Sequence, residues 1–473
     1  MDCTRNWIQD GTVDRQRMEG MDVMNLAISS LRGLRPYALP VAALCALGCG
    51  STAILAQATS FNNGYSAAAE ASGGNLVAEQ GDPVDAVEGN PAGLAGIKTR
   101  VLEATGVGVF GSGSFQNSGN SNGRMGGVVG AMPYGAFVTP LGASHWTASA
   151  AFTPEILMRA NWRYVDVPGT LGVTYGLQTN ETEIIALRSS IGVARTFGPK
   201  WNVGAVLGLV YNTNNLNAPY IFQQQPQLQG LKVLLSLQAH GYGWNGNAGF
   251  QFQPNSRLHI GVAWKSGTTI HTNGSANGTA SALFTALGIN QSPTFSYQSQ
   301  VLNHLPQAFD AGFSWRTDRH LTWQAQGDFV AWGQAFQQLP VSLTGGTNAV
   351  INSVVGSNAI QDVVPLHWNN QVGIHVGVDS PLGENWVLRA GYGYMTNPVP
   401  SATLLPLTAS IMRNSVGAGA GWTHGRMRYD AAYQALLPSS ESVGQSSILA
   451  GEYSNSTVRI FLQSVTVTAK LSF

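Results

Sequence analysis

The stretch Ser464-Val465-Thr466-Val467-Thr468-Ala469-Lys470-Leu471-Ser472-Phe473 alternates strictly. Val465, Val467, Ala469, Leu471 and Phe473 are apolar; Thr466, Thr468, Lys470 and Ser472 are polar. A period of two is that of a strand with one greasy and one wet face. An aromatic closes the apolar parity and no later domain follows to cover it, so lipid is the most economical cover. Lipid tolerates a sheet only when no edge is left unpaired. If the pattern recurs upstream, this stretch is the closing seam of a membrane barrel.

It does recur. Trp201, Val203, Ala205, Leu207, Leu209 and Tyr211 oppose Asn202, Gly204 and Gly208; Leu258, Ile260, Val262 and Trp264 oppose His259, Gly261 and Lys265; Val372, Ile374, Val376 and Val378 oppose Gln371, His375 and Asp379. A soluble sandwich alternates too, so connection lengths decide. Strands are expected near 100–115, 124–141, 144–164, 181–197, 200–213, 234–253, 257–270, 294–316, 319–334, 365–379, 385–397, 409–422, 426–437 and 456–473. Tight turns such as Gly142-Ala143, Gly198-Pro199, Thr317-Asp318 and His424-Gly425 alternate with long loops near 116–123, 165–180, 214–233, 271–293, 335–364, 398–408 and 438–455. Short turns at one end and long loops at the other define the outer-membrane layout. Trp146, Trp201, Trp315, Trp323, Trp386 and Trp422 lie beside the short turns, as an interfacial girdle would.

Composition agrees. Charged residues make up 10% of the 473 residues, against roughly 25% in soluble domains. Yet mean hydropathy is only +0.01, which suits alternating faces rather than helical spans of about 20 apolar residues. A formal net charge of zero gives nucleic acid no electrostatic footing. The three cysteines, Cys3, Cys45 and Cys49, all fall in the first 58 residues. That segment reads as a signal peptide with an extended N-terminal region: Arg32 and Arg35 precede an apolar core, and Ala56-Gln57-Ala58 supplies small residues for cleavage. A single membrane anchor and a lipidated Cys49 are the alternatives.

No nucleophile elbow, phosphate loop or paired His/Cys ligand set is found, and the nine histidines are scattered singly. No enzyme activity, cofactor or metal is expected. The physical problem is instead the lumen, because fourteen strands enclose a real cavity that leaks unless filled. Residues 59–99 hold no strand pattern and immediately precede the first strand, so they are expected to fold back as a plug, with the barrel at 100–473. Within them Asn90-Pro91-Ala92-Gly93-Leu94 is a fixed-φ turn followed by small residues, suited to close packing on a wall.

Asn90-Pro91-Ala92-Gly93-Leu94, placed just before the first strand, resembles the plug motif of the FadL family of outer-membrane transporters for long-chain fatty acids and other hydrophobic compounds. Leu305-Pro306-Gln307-Ala308-Phe309, Phe329-Val330-Ala331-Trp332, Leu388-Arg389-Ala390-Gly391-Tyr392 and Asn397-Pro398-Val399-Pro400 are similar to that family as well. The resemblance implies an all-β, 14-stranded antiparallel transmembrane barrel with an N-terminal hatch inside the lumen. It also implies a hydrophobic ligand that leaves sideways beside a kinked third strand.

Independently of the resemblance, Pro133 and Pro154 fall inside the second and third strands, where a missing N–H marks a bulge, kink or local edge. Glu155, next to Pro154, is expected to line such an opening. Ligand contacts are expected from apolar residues in external loops, Phe222, Leu228, Leu231, Phe284 and Leu287, with packing of the loops on one another as the alternative. Arg159, Arg188 and Lys265 are candidates for a ligand carboxylate, or for structural ion pairs within the lumen. The expected function is passive uptake of long-chain fatty acids or similar molecules across the outer membrane of a Gram-negative-type bacterium, by a monomer in contact with lipid and lipopolysaccharide. An aromatic-hydrocarbon channel and a plugged porin are the rival readings.

Overall fold

The computed structural model describes residues 64–78, 81–126, 130–142, 145–318 and 320–473. The expected signal peptide, with residues 59–63 of the expected plug, lies outside the described residues.

One closed antiparallel barrel of fourteen strands forms the wall. In chain order they are β1 (Val101–Asn117), β2 (Asn120–Met125 and Gly130–Pro140), β3 (Trp146–Asp166), β4 (Gly176–Phe197), β5 (Trp201–Ile221), β6 (Lys232–Asn255) and β7 (Leu258–Lys265 and Thr268–Thr279). The remainder are β8 (Thr294–Leu305 and Ala308–Arg316), β9 (Thr322–Val330 and Gln338–Thr344), β10 (Ile360–Pro365 and Gln371–Leu382), β11 (Trp386–Met395), β12 (Asn414–His424), β13 (Met427–Val443) and β14 (Ser456–Ser472). The opening stretch is the seam: β14 pairs β1 from Val101↔Ser472 to Gln116↔Thr457.

The apolar parity faces outward. Ile191, Val203, Leu207, Trp244, Ile374 and Val465 are all exposed, as expected of a lipid-facing band. At the short-turn end, Gly198 and Gly425 take positive φ (59° each), which L-residues rarely adopt, and so close their turns tightly. Trp146, Trp201, Trp315, Trp323 and Trp386 stand exposed near these turns.

Two expectations about loops need correction. The connection at 116–123 is a tight turn, because Asn117 accepts the Gly119 N–H (3.1 Å) and Asn120 continues the ladder. The connection expected at 398–408 is longer, running from Met395 to Asn414, while the other external connections are shorter because strands run on above the band, β5 to Ile221 and β6 from Lys232. Polar residues occupy both parities there, and the period-two signal fades.

The plug segment lies inside the ring as short pieces, α1 (Ala67–Ala71), α2 (Pro83–Glu88) and a 3-10 turn (Pro91–Gly96). Helices this short are held by tertiary contacts rather than by propensity. The Ala67 N–H donates to Thr468 Oγ1 (2.9 Å), the Leu76 and Val77 N–H groups donate to Gln326 Oε1 (2.7 and 2.9 Å), and Val84 N–H donates to Glu103 Oε2 (3.0 Å). Lys470 pairs with Asp82, and Ser464 bonds Glu70.

Candidate functional site

Asn90 is fully buried where the plug meets β5, β6 and β7. Its Nδ2 donates to the carbonyls of Val77 (2.6 Å) and Phe250 (3.2 Å), while its Oδ1 accepts the Ala92 N–H (3.0 Å) and caps the 3-10 turn that Pro91 begins. The wall makes room with glycine. A Cβ at Gly249 would collide with Asn90, and one at Gly204 would collide with Pro91. Leu94 is buried against Val101, Val138 and Val206.

Two residues before Asn90, Glu88 joins the plug to the wall electrostatically. Arg188 Nη1 lies 3.0 Å from Glu88 Oε1, Lys265 Nζ lies 2.9 Å from Oε2, and Thr153 Oγ1 donates to Oε1 at 2.6 Å. Burial alone would raise the Glu88 pKa, but the two cations outweigh it and hold the carboxyl down at about 2. Lys265 also pairs with Glu155 (2.9 Å), and Arg188 Nη2 donates to Asn247 Oδ1 (2.9 Å). Asn247 in turn donates to the carbonyls of Val87 and Glu88. Arg188 and Lys265 are thus engaged by the plug and by Glu155.

Glu155 is a bulge. The β3–β4 register jumps from Pro154↔Leu187 to Ile156↔Ala186, leaving Glu155 without a partner. Beyond the bulge the parity of β3 changes: Met158 packs into the interior core, Ala160 and Trp162 are buried, and Arg159 turns to the outer face, 3.7 Å from Glu183. Counting by twos from Thr153 places Arg159 inward, and the extra residue reverses that.

In the same region the described residues of β2 and β3 lack mutual pairing over an interval. β2 pairs β3 from Gly135↔Phe152 down to Pro140↔Thr147, and again above at Arg124↔Arg163 and Met125↔Trp162, where Gly126 N–H donates to the Asn161 carbonyl (2.8 Å). Between those rungs, among the described residues, 130–134 pair only with β1 and 153–160 only with β4. Pro133 and Pro154 both lie on this interval. On its inner side sits the plug, with Tyr134 Oη donating to the Tyr65 carbonyl (2.7 Å) and Val84 packed with Met132 and Tyr134.

Above the plug, an apolar cavity of about 150 Å³ opens between the wall and the external segments. Met158, Leu216, Leu237, Val341, Trp368 and Leu405 are among its lining residues, so the stretch of β3 that lacks a β2 partner forms part of its wall. Phe222, Leu228, Leu231, Phe284 and Leu287 do not line it. Phe222, Leu228 and Phe284 are buried in a core of external segments with half-buried Leu231 against it, while Leu287 is exposed. The sequence reading missed Glu88, Thr153 and Asn247. The one available signal was an acidic residue beside a plug motif in a chain so poor in charge.

The family model described as outer membrane protein transport protein (OMPP1/FadL/TodX) matches residues 46–472. Among solved structures, a FadL homologue of Pseudomonas aeruginosa gives a TM-score of 0.69 at 16% identity, over 86% of this chain and 98% of its own. The Pseudomonas putida toluene transporter TodX gives 0.68 at 17%, over 88% and 100%. The Ralstonia pickettii toluene transporter TbuX gives 0.65 at 16%, over 87% and 99%. No curated protein matches the chain by sequence. At these identities the solved structures speak to fold alone, whereas the family match spans nearly the whole chain. The chain belongs to the OMPP1/FadL/TodX family, multi-pass outer-membrane β-barrels that transport hydrophobic compounds.

Proposed function

We propose that this barrel passes a neutral, compact hydrophobic molecule from the external cavity, past the plug, to the bilayer through the interval between β2 and β3. The observation that carries this reading is the position of Met158, which lines the cavity and lies on the part of β3 without β2 pairing. A ligand in the cavity is therefore one side chain from the opening, and Asn90 to Leu94 form the hatch beneath it. The passage runs from one apolar environment to another, so no cofactor is required.

Two observations favour a monoaromatic hydrocarbon over a fatty acid. A cavity of about 150 Å³ is of the order that holds benzene. Moreover, Arg188 and Lys265 are held by Glu88 and Glu155, and Arg159, which is among the residues lining the cavity, already has Glu183 3.7 Å away. Long-chain fatty acid remains the second reading, supported by the cavity's opening among apolar external segments, along which an acyl chain can extend.

The test is uptake of labelled toluene and of labelled oleate by cells lacking their own carriers, expressing the wild type, Asn90→Ala or Pro154→Ala at equal surface levels. Toluene uptake above empty cells, reduced in both variants, supports the reading. Oleate uptake alone selects the fatty acid. Free passage of small sugars with no uptake of either hydrophobe would make the chain a porin.

A further inference from the structure

One row of outward-facing residues runs across six neighbouring strands at the external side of the opening. The register sets it out as Ser440↔Arg459, Arg459↔Ser114, Ser114↔Arg124, Arg124↔Arg163 and Arg163↔Thr179, from β13 through β14, β1, β2 and β3 to β4. Their sequence neighbours Phe115, Met125, Trp162, Val458 and Ile460 are buried in the interior core, so the row itself points away from the barrel. Arg124, Arg163 and Arg459 are exposed. Among the described residues none of the three has an acidic side chain within ion-pair distance. Glu181, two residues beyond Thr179 on β4, accepts a hydrogen bond from Asn161 at 2.6 Å.

Arg124 and Arg163 are direct cross-strand partners, and like charges so placed destabilise a sheet. They sit on one of two rungs that, among the described residues, close the interval from above. The row stands about 30 Å along the barrel axis from Leu471 at the short-turn end, given strand rise and tilt. An apolar band is roughly 25 Å tall, so the arginines emerge at the outer head-group level. Three guanidiniums spread over about 14 Å, interleaved with Ser114 and flanked by Ser440 and Thr179, offer forked donors and hydroxyls to a group that carries several anionic oxygens.

We propose that this row binds the phosphorylated head group of an outer-leaflet glycolipid, whose phosphates bridge Arg124 to Arg163 and so clamp β2 to β3 above the lateral opening. The proposal rests on the register and the membrane placement, independently of which hydrophobe is transported.

The test uses the full-length barrel purified in detergent, with native mass spectrometry following stepwise addition of diphosphorylated lipid A or the same lipid stripped of its phosphates. Expected for the wild type is about tenfold tighter binding of the phosphorylated form, weakened by high salt. Arg124→Ser/Arg163→Ser/Arg459→Ser should remove that preference while keeping the heat-modifiable gel shift of a folded barrel. If the serine variant does not fold, Arg124→Lys/Arg163→Lys/Arg459→Lys carries the test, with a reduced preference expected because the bidentate geometry is lost. Equal preference in variant and wild type would overturn the proposal. So would displacement of lipid A from wild type by dodecanoate or inorganic phosphate at matched concentration, which would assign the row to a carboxylate ligand or a free anion.

Discussion

Glu88 concentrates in one side chain the forces that seat the plug. It is fully buried, and it is the shared anion of Arg188 and Lys265. Removing one member of a buried pair costs on the order of 3 kcal/mol, because the cation left behind stays desolvated. Glu88→Gln should therefore raise amide hydrogen exchange across Pro83–Gly96 by roughly a hundredfold, with exchange in β5 and β6 unchanged. The pH dependence has a definite sign. The folded pKa lies below the ordinary carboxylate value, so the stabilisation is fully present above the unfolded pKa and is lost only as pH falls through about 2. The ratio of exchange in Glu88→Gln to that in the wild type, taken at each pH so that the buried plug acid Asp85 cancels, should stay flat from pH 7 to about 4.5 and fall under stronger acid; a change centred near pH 6 would mean that Glu88 does not seat the segment as a carboxylate.

At the scale of the element, β3 is a strand interrupted on purpose. Glu155 is one extra residue between Pro154 and Ile156, so deleting it restores a regular ladder with β4 while every other side chain keeps its face. With Lys265 freed from Glu155 and the kink removed, β3 can straighten toward β2. Deletion of Glu155 should cut hydrophobe uptake about tenfold at equal surface expression; undiminished uptake would place the exit elsewhere. The sequence carried the prolines that mark the kink, because a missing N–H is a property of one residue type. It did not carry the bulge, whose existence depends on the partner's register, and so Arg159 was counted on the wrong face. The strands themselves were legible for the opposite reason. Lipid outside and polar groups inside impose a period of two on every span, and Val465 to Phe473 displays it without help from any neighbour. Where strands rise above lipid, as β5 does beyond Asn212, that constraint lapses and the boundaries blurred.

At the scale of the whole molecule, plug and barrel divide the work of sealing and supporting. Glycines on the inward parity, Gly204 and Gly249 among them, form the socket into which Asn90 and Pro91 fit. The sequence showed Gly204 opposite the apolar face but not what it receives, since the contact joins segments more than a hundred residues apart. A barrel lacking residues 59–97 should fold, and should conduct ions in planar bilayers in large steps where the intact chain conducts little. Comparable conductance with and without the segment would show that loops, not the plug, close the lumen.

The plug's anchors on the final strand carry a consequence in time. Ala67 is bonded by Thr468, Glu70 by Ser464 and Asp82 by Lys470, all on β14, which also zips to β1. The segment that closes the lumen is made before any strand, yet three of its fasteners are made last. During assembly these three contacts cannot form until the terminal strand is in place. Closure of the wall and completion of the plug's fastening therefore draw on the same strand.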